Sequence, residues 1–243
     1  MTGPAAAWPA LTAVRPVLPL LGTMLAYEAG LRLQRLCRGN ALANPVLFSV
    51  AVVAVVLTGL DGSPEEYAAG VKPLALLLGP ATVALAVPLH RSLPRIRAAL
   101  VPVLAGIGAG AVTAAAVAVV IAGWLGAPGI VLHSIVLKST TAAIAMAVAP
   151  LIGGDPALAA GLAVLTGITG AVMCTWVLDL AGVHDQRARG LATGITAHGI
   201  GTARMLAIDA EAGAFSSLGM ALGGFAGGIL LPVAYAWLGT SQV

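Results

Sequence analysis

Lys138 is the residue with the clearest chemical meaning, because it places a cation inside the long apolar segment 130–150. A charge at bilayer depth costs about 2.5–3.5 kcal/mol even on the mildest insertion scale, so it needs an anionic ligand, a carboxylate or a wet cavity. Ser139, Thr140 and Thr141 follow directly and add three hydroxyls. If the helix breaks here, the next half-helix also presents free N–H groups. The pattern predicts a small-anion site. The alternative is that Lys138 extends to an interface and the hydroxyls bond their own helix.

A second polar interruption lies in the apolar segment 188–207. His198 and Thr202 are spaced i, i+4, which places them on one face of a straight helix. A histidine exchanges protons near physiological pH, and Arg204 could bind a carboxylate through two hydrogen bonds. These residues predict the second half of a binding site. The alternative is a packed His198 with one satisfied hydrogen bond and Arg204 in a loop, paired with Asp209.

Three further hydroxyls are secondary candidates for the site. Thr82 stands beside a Gly-Pro pair in segment 68–90, where the proline predicts a kink or break. Ser216 and Ser217 could line a cavity, although serines in membrane helices usually bond back to their own backbone. The stretch TVALAV at Thr82 also resembles TAAIAM at Thr141. This echo suggests an internal repeat, and paired broken helices in repeats are a recurring transporter plan. The alternative is a chance match, which arises easily among sequences rich in alanine, valine and leucine.

Composition defines the elements that must position these residues. The chain is 59% hydrophobic and 9% charged, with mean hydropathy +1.01, whereas soluble domains carry about 25% charged residues. We therefore predict one all-α, polytopic integral membrane domain over 1–243, with about six to eight membrane segments of the ~20 residues that a span needs. Some of these would be broken or re-entrant helices. The apolar segments are 16–36, 45–60, 68–90, 98–124, 130–150, 156–180, 188–207 and 213–237.

Basic residues predict the topology, because cytoplasmic loops are enriched in lysine and arginine. Eight of the twelve basic residues fall in three clusters, which we place in the cytoplasm. The acidic loop with Asp61, Glu65 and Glu66 would then lie outside. The third cluster stays inside only if segment 130–150 is re-entrant or broken. The clusters are Arg32, Arg35 and Arg38; Arg91, Arg95 and Arg97; and Arg187 and Arg189. Glu28 and Arg32 have the spacing of a helical ion pair.

Several classes of function are excluded or disfavoured by the sequence. The basic pI of 9.2 follows from loop arginines, so we expect no nucleic-acid partner. Cys37 and Cys174 match no metal or redox spacing, and we expect both to pack as small apolar residues. The sequence contains no hydrolase elbow, zinc-protease motif, P-loop or dinucleotide fingerprint. We therefore predict a non-enzymatic protein without cofactor or metal.

Seven motifs carry a resemblance to a known family over nearly the whole chain, from 44 to 237. They are Asn44-Pro45, LTGLDGSPEEY (57–67), LLGPATVALAVPLHRSLP (77–94), LKSTTAAIAMAVAPLIGGDPALAA (137–160), LTGITGAV (165–172), ARGLATGITAHGIGTARML (188–206) and GAFSSL (213–218). With these motifs the sequence resembles the LrgB/CidB family of membrane proteins. It departs from the family pattern at Leu137 and Ala143, where prolines are common, and at Ala207 and Ala212, where acids are common.

The resemblance implies two competing functions in the plasma (inner) membrane. One is transport of small monocarboxylates such as glycolate, glycerate, pyruvate or lactate. The other is antiholin-like regulation of murein hydrolase export and cell lysis with a small LrgA/CidA-type partner. The residues favour transport, because a carboxylate site needs a charged helix break and a lytic lesion does not. We expect Lys138 to neutralise the carboxylate, the neighbouring hydroxyls to orient it, and His198 to carry a proton. The short chain also favours a homodimer or a partner subunit.

Overall fold

The computed structural model describes residues 17–37, 40, 43–60, 62–84 and 86–240, and these residues form helices without any β-strand. Contacts divide the chain into two compact units, one ending at Ala84 and the other beginning at Leu85. Each unit is described separately below, and the prediction that the whole chain is one domain stays a prediction. The all-α prediction is confirmed.

The N-terminal unit is built on a close contact between its first two helices. Gly30 lies against the start of the second helix, where an added Cβ would be 2.9 Å from the Pro45 Cα. The side chain of Asn44 accepts two backbone hydrogen bonds and caps that helix. Thr23 Oγ1 and the Tyr67 hydroxyl lie 2.9 Å apart and join the first helix to the third. The helices are α1 (Leu18–Leu36), α2 (Pro45–Gly59), α3 (Pro64–Gly70) and α4 (Lys72–Ala84).

The structure decides several predictions made for this unit. Glu28 and Arg32 form the expected ion pair, with Oε1 and Nε 2.9 Å apart. Cys37 is exposed, which contradicts the prediction that it packs as a small apolar residue, whereas Cys174, in the C-terminal unit, is buried as predicted. The proline after Gly79 lies inside α4, which ends at Ala84. Arg38, Asp61 and the side chain of Thr82 lie outside the described residues.

Long helices dominate the C-terminal unit. Three of them, α7, α10 and α12, are long and apolar enough to cross a membrane, which confirms the predicted α-helical membrane protein; the predicted number of six to eight membrane segments stays a prediction. The helices of this unit are α5 (Ala86–Arg91), α6 (Leu93–Ala98), α7 (Leu100–Trp124), α8 (Gly129–Ile135), α9 (Ala142–Val148), a 3-10 turn (Ala149–Ile152), α10 (Pro156–Leu180), α11 (Gln186–Ile208) and α12 (Ala210–Thr240).

Ion pairs gather helix ends at one side of this unit, which we call the charged end. Arg95 Nη1 on α6 lies 3.5 Å from Glu211 Oε1 at the start of α12. Arg189 Nη1 at the start of α11 lies 2.6 Å from Asp179 Oδ1 at the end of α10. The other end of α10 is about 37 Å away, since an α-helix rises 1.5 Å per residue. Two of the three basic clusters therefore share one end, as the topology requires; which side faces the cytoplasm stays a prediction.

Residues 129–152 form a hairpin. It enters from the end of the unit opposite the charged end and returns to that same opposite end. Helix α8 has seven residues, about 10 Å, and is too short to span a bilayer. The chain then unwinds over 136–141 and turns back as α9. The Ser134 hydroxyl accepts a hydrogen bond from the Asp155 backbone N–H at 2.9 Å, which holds α8 beside the start of α10. The predicted break in segment 130–150 is confirmed, and we call residues 129–152 the first hairpin.

Helix α11 is folded back on itself at His198, whose backbone is non-helical with φ 37° and ψ −128°. A Cβ added at Gly201 would lie 2.8 Å from the Thr193 Cγ2, although eight residues of straight helix would separate these positions by about 12 Å. The arms 186–197 and 199–208 therefore lie side by side. The predicted interruption of segment 188–207 is confirmed, and we call residues 186–208 the second hairpin.

The second hairpin enters from the charged end and packs lengthwise on α12. A Cβ added at Gly190 would overlap the Ala212 carbonyl oxygen, and one added at Gly194 would overlap the Ser216 carbonyl oxygen. The two backbones touch because neither glycine has a side chain. Ser216 also reaches the other arm of the hairpin, with its hydroxyl 2.9 Å from the Thr202 hydroxyl. Helix α12 therefore holds both arms together.

Asp185 starts the second hairpin. Its carboxylate accepts hydrogen bonds from the Arg187 and Ala188 backbone N–H groups at 2.8 and 3.2 Å and pairs with the Arg187 guanidinium at 2.6 Å. The hydrogen bond from the Arg187 side chain is the main reason that the pKa of Asp185 falls to about 2, and the two backbone N–H groups also lower it. This ionised carboxylate caps α11 outside the apolar segment.

We expect Asp185→Ala to lower the free energy of unfolding by about 1 kcal/mol, because the cap is lost. Asp185→Asn keeps an acceptor and should cost only a few tenths of a kcal/mol. Because folding lowers the pKa of Asp185, its ionic contribution is complete above about pH 4 and disappears as the pH falls towards about 2. Thermal unfolding in detergent across this pH range measures both effects. Equal losses for the two variants at pH 7 would show that the cap contributes nothing.

Candidate functional site

The tips of the two hairpins meet inside the C-terminal unit. The His198 Nε2 lies 3.0 Å from the Lys138 carbonyl oxygen. Because a carbonyl oxygen only accepts hydrogen bonds, Nε2 carries the proton and donates it. The arm 186–197 is about 18 Å long, so the contact lies near half the length of the spanning helices. The structure thus joins the two polar interruptions that the sequence indicated separately.

The backbone at His198 is held in a conformation that residues other than glycine rarely adopt. His198 is the one non-glycine residue with positive φ within the described parts of the chain. Such a conformation costs about 1–3 kcal/mol and persists only when its surroundings enforce it. His198 is 5% exposed, and a Cβ added at Gly167 of α10 would lie 3.1 Å from the Cε1 of its imidazole. The hydrogen bond to Lys138 and the packing on α10 supply this enforcement.

The Lys138 side chain is half-buried and lines an open groove. Its ammonium donates to the Ser139 hydroxyl at 3.3 Å, and within the described residues it forms no ion pair. The groove has a volume of about 740 Å³ and is lined by α7, Lys138 and Thr196. A cation in such a place is suited to an anionic ligand. The role of Lys138 and Ser139 as ligands stays a prediction.

The next two hydroxyls serve their own backbone. Thr140 Oγ1 donates to the Leu137 carbonyl at 2.8 Å, and Thr141 Oγ1 accepts from the Ile144 N–H at 3.3 Å and caps α9. This is the alternative that the sequence left open for these residues. The break forms although Leu137 and Ala143 replace prolines of the family pattern, because these local bonds satisfy the unwound backbone.

The other predicted site residues lie away from the groove. The hydroxyls of Thr202 and Ser216 are buried and bond each other, and the Ser217 hydroxyl donates to the Gly213 carbonyl at 2.8 Å. Arg204 is half-buried in the returning arm of the second hairpin. None of these four lines the groove that contains Lys138. The described residues contain no group of His, Cys, Asp or Glu that could hold a metal ion.

The structure adds two hydroxyl residues to the surroundings of Lys138. Thr113 of α7 and Thr196 of the second hairpin line the same groove. The Thr196 hydroxyl donates to the Ala192 carbonyl at 2.8 Å and retains acceptor capacity. Thr113 is the one hydroxyl residue of α7. A single hydroxyl in an otherwise apolar helix is the sequence feature that could have indicated its place in the groove.

The spanning helices and the two hairpins define a polytopic α-helical membrane protein. The chain belongs to the LrgB-like family, whose model matches residues 23–237. It is 32% identical to the uncharacterized protein YwbG of Bacillus subtilis over 85% of this chain and 91% of that protein. It is 28% identical to the holin-like protein CidB of Staphylococcus epidermidis, covering 90% of this chain and 96% of CidB. It is 25% identical to the antiholin-like protein LrgB of Bacillus mycoides, covering 92% of this chain and 97% of LrgB.

No solved structure matches this chain. The names of the relatives support the holin- or antiholin-like alternative at the level of the family, and those names do not mention a monocarboxylate. The transport function predicted from the residues is therefore the less supported of the two functions.

Proposed function

We propose that this chain is a holin- or antiholin-like membrane protein that regulates murein hydrolase export and lysis from the plasma membrane. The supporting observation is the match to proteins named holin-like CidB and antiholin-like LrgB over 90% and 92% of the chain. The family resemblance adds a small LrgA/CidA-type membrane protein as partner. The described apolar helices supply the membrane-embedded body that this role requires.

Expression in a bacterial host that lacks its own LrgB-type protein tests this proposal. We expect the chain to change both the lysis rate and the extracellular murein hydrolase activity, with the larger change when an LrgA/CidA-type protein is co-expressed. A matched control is the Gly194→Ala variant, which should fail to pack and therefore behave like the empty vector. The proposal would be contradicted if cells expressing the wild-type chain, with its presence in the membrane confirmed, showed the same lysis rate and hydrolase activity as cells with the empty vector.

Transport of small monocarboxylates is the second candidate, and one geometric observation favours it. The ammonium of Lys138 stands at an unwound hairpin tip beside an open groove, with the Ser139 hydroxyl 3.3 Å away. In this reading Lys138 neutralises the substrate carboxylate and Ser139 orients it. His198 holds the tip through the Lys138 carbonyl, and its other ring nitrogen is the group that would exchange a proton.

We expect Lys138→Gln to reduce glycolate or pyruvate uptake into proteoliposomes by about tenfold or more, since a charge-assisted hydrogen bond contributes roughly 1.5–3 kcal/mol. The control is Lys72→Gln, because Lys72 is the other lysine of the chain and is exposed on α4. Uptake is measured with labelled substrate at equal protein incorporation. Equal uptake by the wild type and Lys138→Gln would remove Lys138 from the site, and no uptake by the wild type would remove the transport candidate itself.

A further inference from the structure

The groove beside Lys138 is much larger than a two- or three-carbon carboxylate. Its volume of about 740 Å³ lies within the range of roughly 300–1,000 Å³ that is typical of ligand pockets. If each heavy atom takes about the 30 Å³ of one water, glycolate would fill only ~150 Å³. Most of the groove must therefore contact some other part of a ligand.

The walls of the groove are apolar and follow one helix. Its α7 side runs from Ala109 to Leu125 through alanine, valine and isoleucine side chains, including the half-exposed Val117 and Ile121. Sixteen residues of helix rise about 24 Å, which approaches the ~30 Å thickness of the bilayer hydrocarbon. An extended hydrocarbon chain would contact these walls along their length, whereas a compact polar ligand would leave them bare.

The polar groups of the groove are concentrated towards one part of it. An added Cβ at Gly110 would lie 3.3 Å from Ile195, which places the neighbouring Thr196 near the Thr113 level of α7. Lys138 lines the same groove, and its backbone carbonyl accepts the hydrogen bond from His198 at the tip of the second hairpin. The apolar wall continues past this level to Leu125. The groove therefore has a cationic part and a long apolar part, and these two parts are complementary to the charged head and the apolar chain of an anionic amphiphile.

We propose that this groove binds a long-chain carboxylate, with the carboxylate on Lys138 and Thr113 and the hydrocarbon chain along α7. By the same volume rule the 18 heavy atoms of palmitate fill about 540 Å³, which the groove accommodates. A free fatty acid fits better than a phospholipid, because Lys138 lies near mid-depth. A protonated carboxyl group can reach that depth without charge, whereas a phosphodiester cannot. The inference does not depend on regulation of lysis, and it competes with the transport candidate for the ammonium of Lys138.

Binding of labelled palmitate to the purified full-length chain in neutral-lipid nanodiscs tests the proposal. We expect saturable binding that Lys138→Met weakens by about tenfold or more, while Lys72→Met and Lys138→Arg retain it. Hexadecanol and acetate should compete poorly, because one lacks the charge and the other lacks the chain. Octanoate should compete at intermediate strength.

Substitution at the far end of the groove tests the position of the chain. Ile121 lies about two helical turns beyond Thr113 and is 52% exposed, so Ile121→Trp can fill the groove without disturbing a core. We expect this variant to weaken palmitate and to leave octanoate unchanged. It also supplies a folded comparison if Lys138→Met misfolds, which thermal unfolding of each variant reports.

Three results would overturn the proposal. Palmitate binding that neither Lys138→Met nor Ile121→Trp changes would show that the groove is not the site. Displacement by phosphatidylglycerol at the same concentration as palmitate would assign the groove to phospholipid. Photo-crosslinking from position 117 to a second copy, in place of the fatty acid, would assign the α7 face to a homodimer contact.

Discussion

Gly194→Ala is expected to lower the free energy of unfolding of the C-terminal unit by at least about 3 kcal/mol, at the upper end of overpacking costs. The new methyl group would overlap the Ser216 carbonyl oxygen of α12. Because that obstacle is backbone, relief requires α12 to move away from both arms of the second hairpin. The buried hydrogen bond between Thr202 and Ser216 would be strained by the same movement.

Gly161→Ala is the matched control for this prediction. Gly161 lies within α10, and an added Cβ there would meet no atom within 4 Å. Alanine is the better helix former by about 1 kcal/mol, so Gly161→Ala should leave the unfolding temperature unchanged or raise it. Thermal unfolding in detergent, together with the monodisperse fraction in size-exclusion chromatography, measures both variants. A Gly194→Ala protein as stable as Gly161→Ala would show that the second hairpin does not pack on α12 as described.

His198→Ala is the second change with a large expected effect. It removes the hydrogen bond to the part-buried Lys138 carbonyl, which costs about 1–3 kcal/mol when the acceptor stays unsatisfied. It also leaves an alanine at φ 37°. Glycine adopts positive φ without this steric cost, so His198→Gly should be more stable than His198→Ala by about 1 kcal/mol, although less stable than the wild type.

Amide hydrogen exchange distinguishes loss of the tip contact from general destabilisation. We expect both His198 variants to speed exchange over 136–141, where the first hairpin is unwound and depends on the contact with His198. The arm 186–197 should keep its protection in His198→Gly. The control is His184→Ala, because His184 is exposed before the second hairpin. Unchanged exchange over 136–141 in His198→Ala would show that the two tips are not coupled.

Either proposed function would use this contact between the hairpin tips. A transporter needs a movable element beside its ligand, and in that proposal the unwound tip with Lys138 would be this element. A regulator of lysis needs a membrane conformation that a partner can bias, and in that proposal the contact between His198 and Lys138 would be the contact that the partner acts on.

The sequence alone determined which segments are apolar enough for the membrane and where they are interrupted. Lys138 and His198 marked the two interruptions, because a polar or charged group at bilayer depth requires a specific partner. The clusters containing Arg95 and Arg187 were both placed in the cytoplasm, so an even number of complete crossings must lie between them. Three apolar segments lie between them, and segment 130–150 therefore had to be re-entrant or broken. Both interruptions are present in the structure, at 136–141 and at His198.

Only the tertiary structure decided how the interruptions are joined and which hydroxyls remain available for a ligand. Hydropathy reports whether a segment faces an apolar environment, but it does not give the direction of the chain after a bend. That direction depends on the φ of His198 and on backbone contact between Gly194 and α12. The Thr140 hydroxyl bonds the Leu137 carbonyl only because the chain unwinds at this point. Thr113 lies beside Lys138 because α7 packs against the first hairpin, and the sequence does not show that packing.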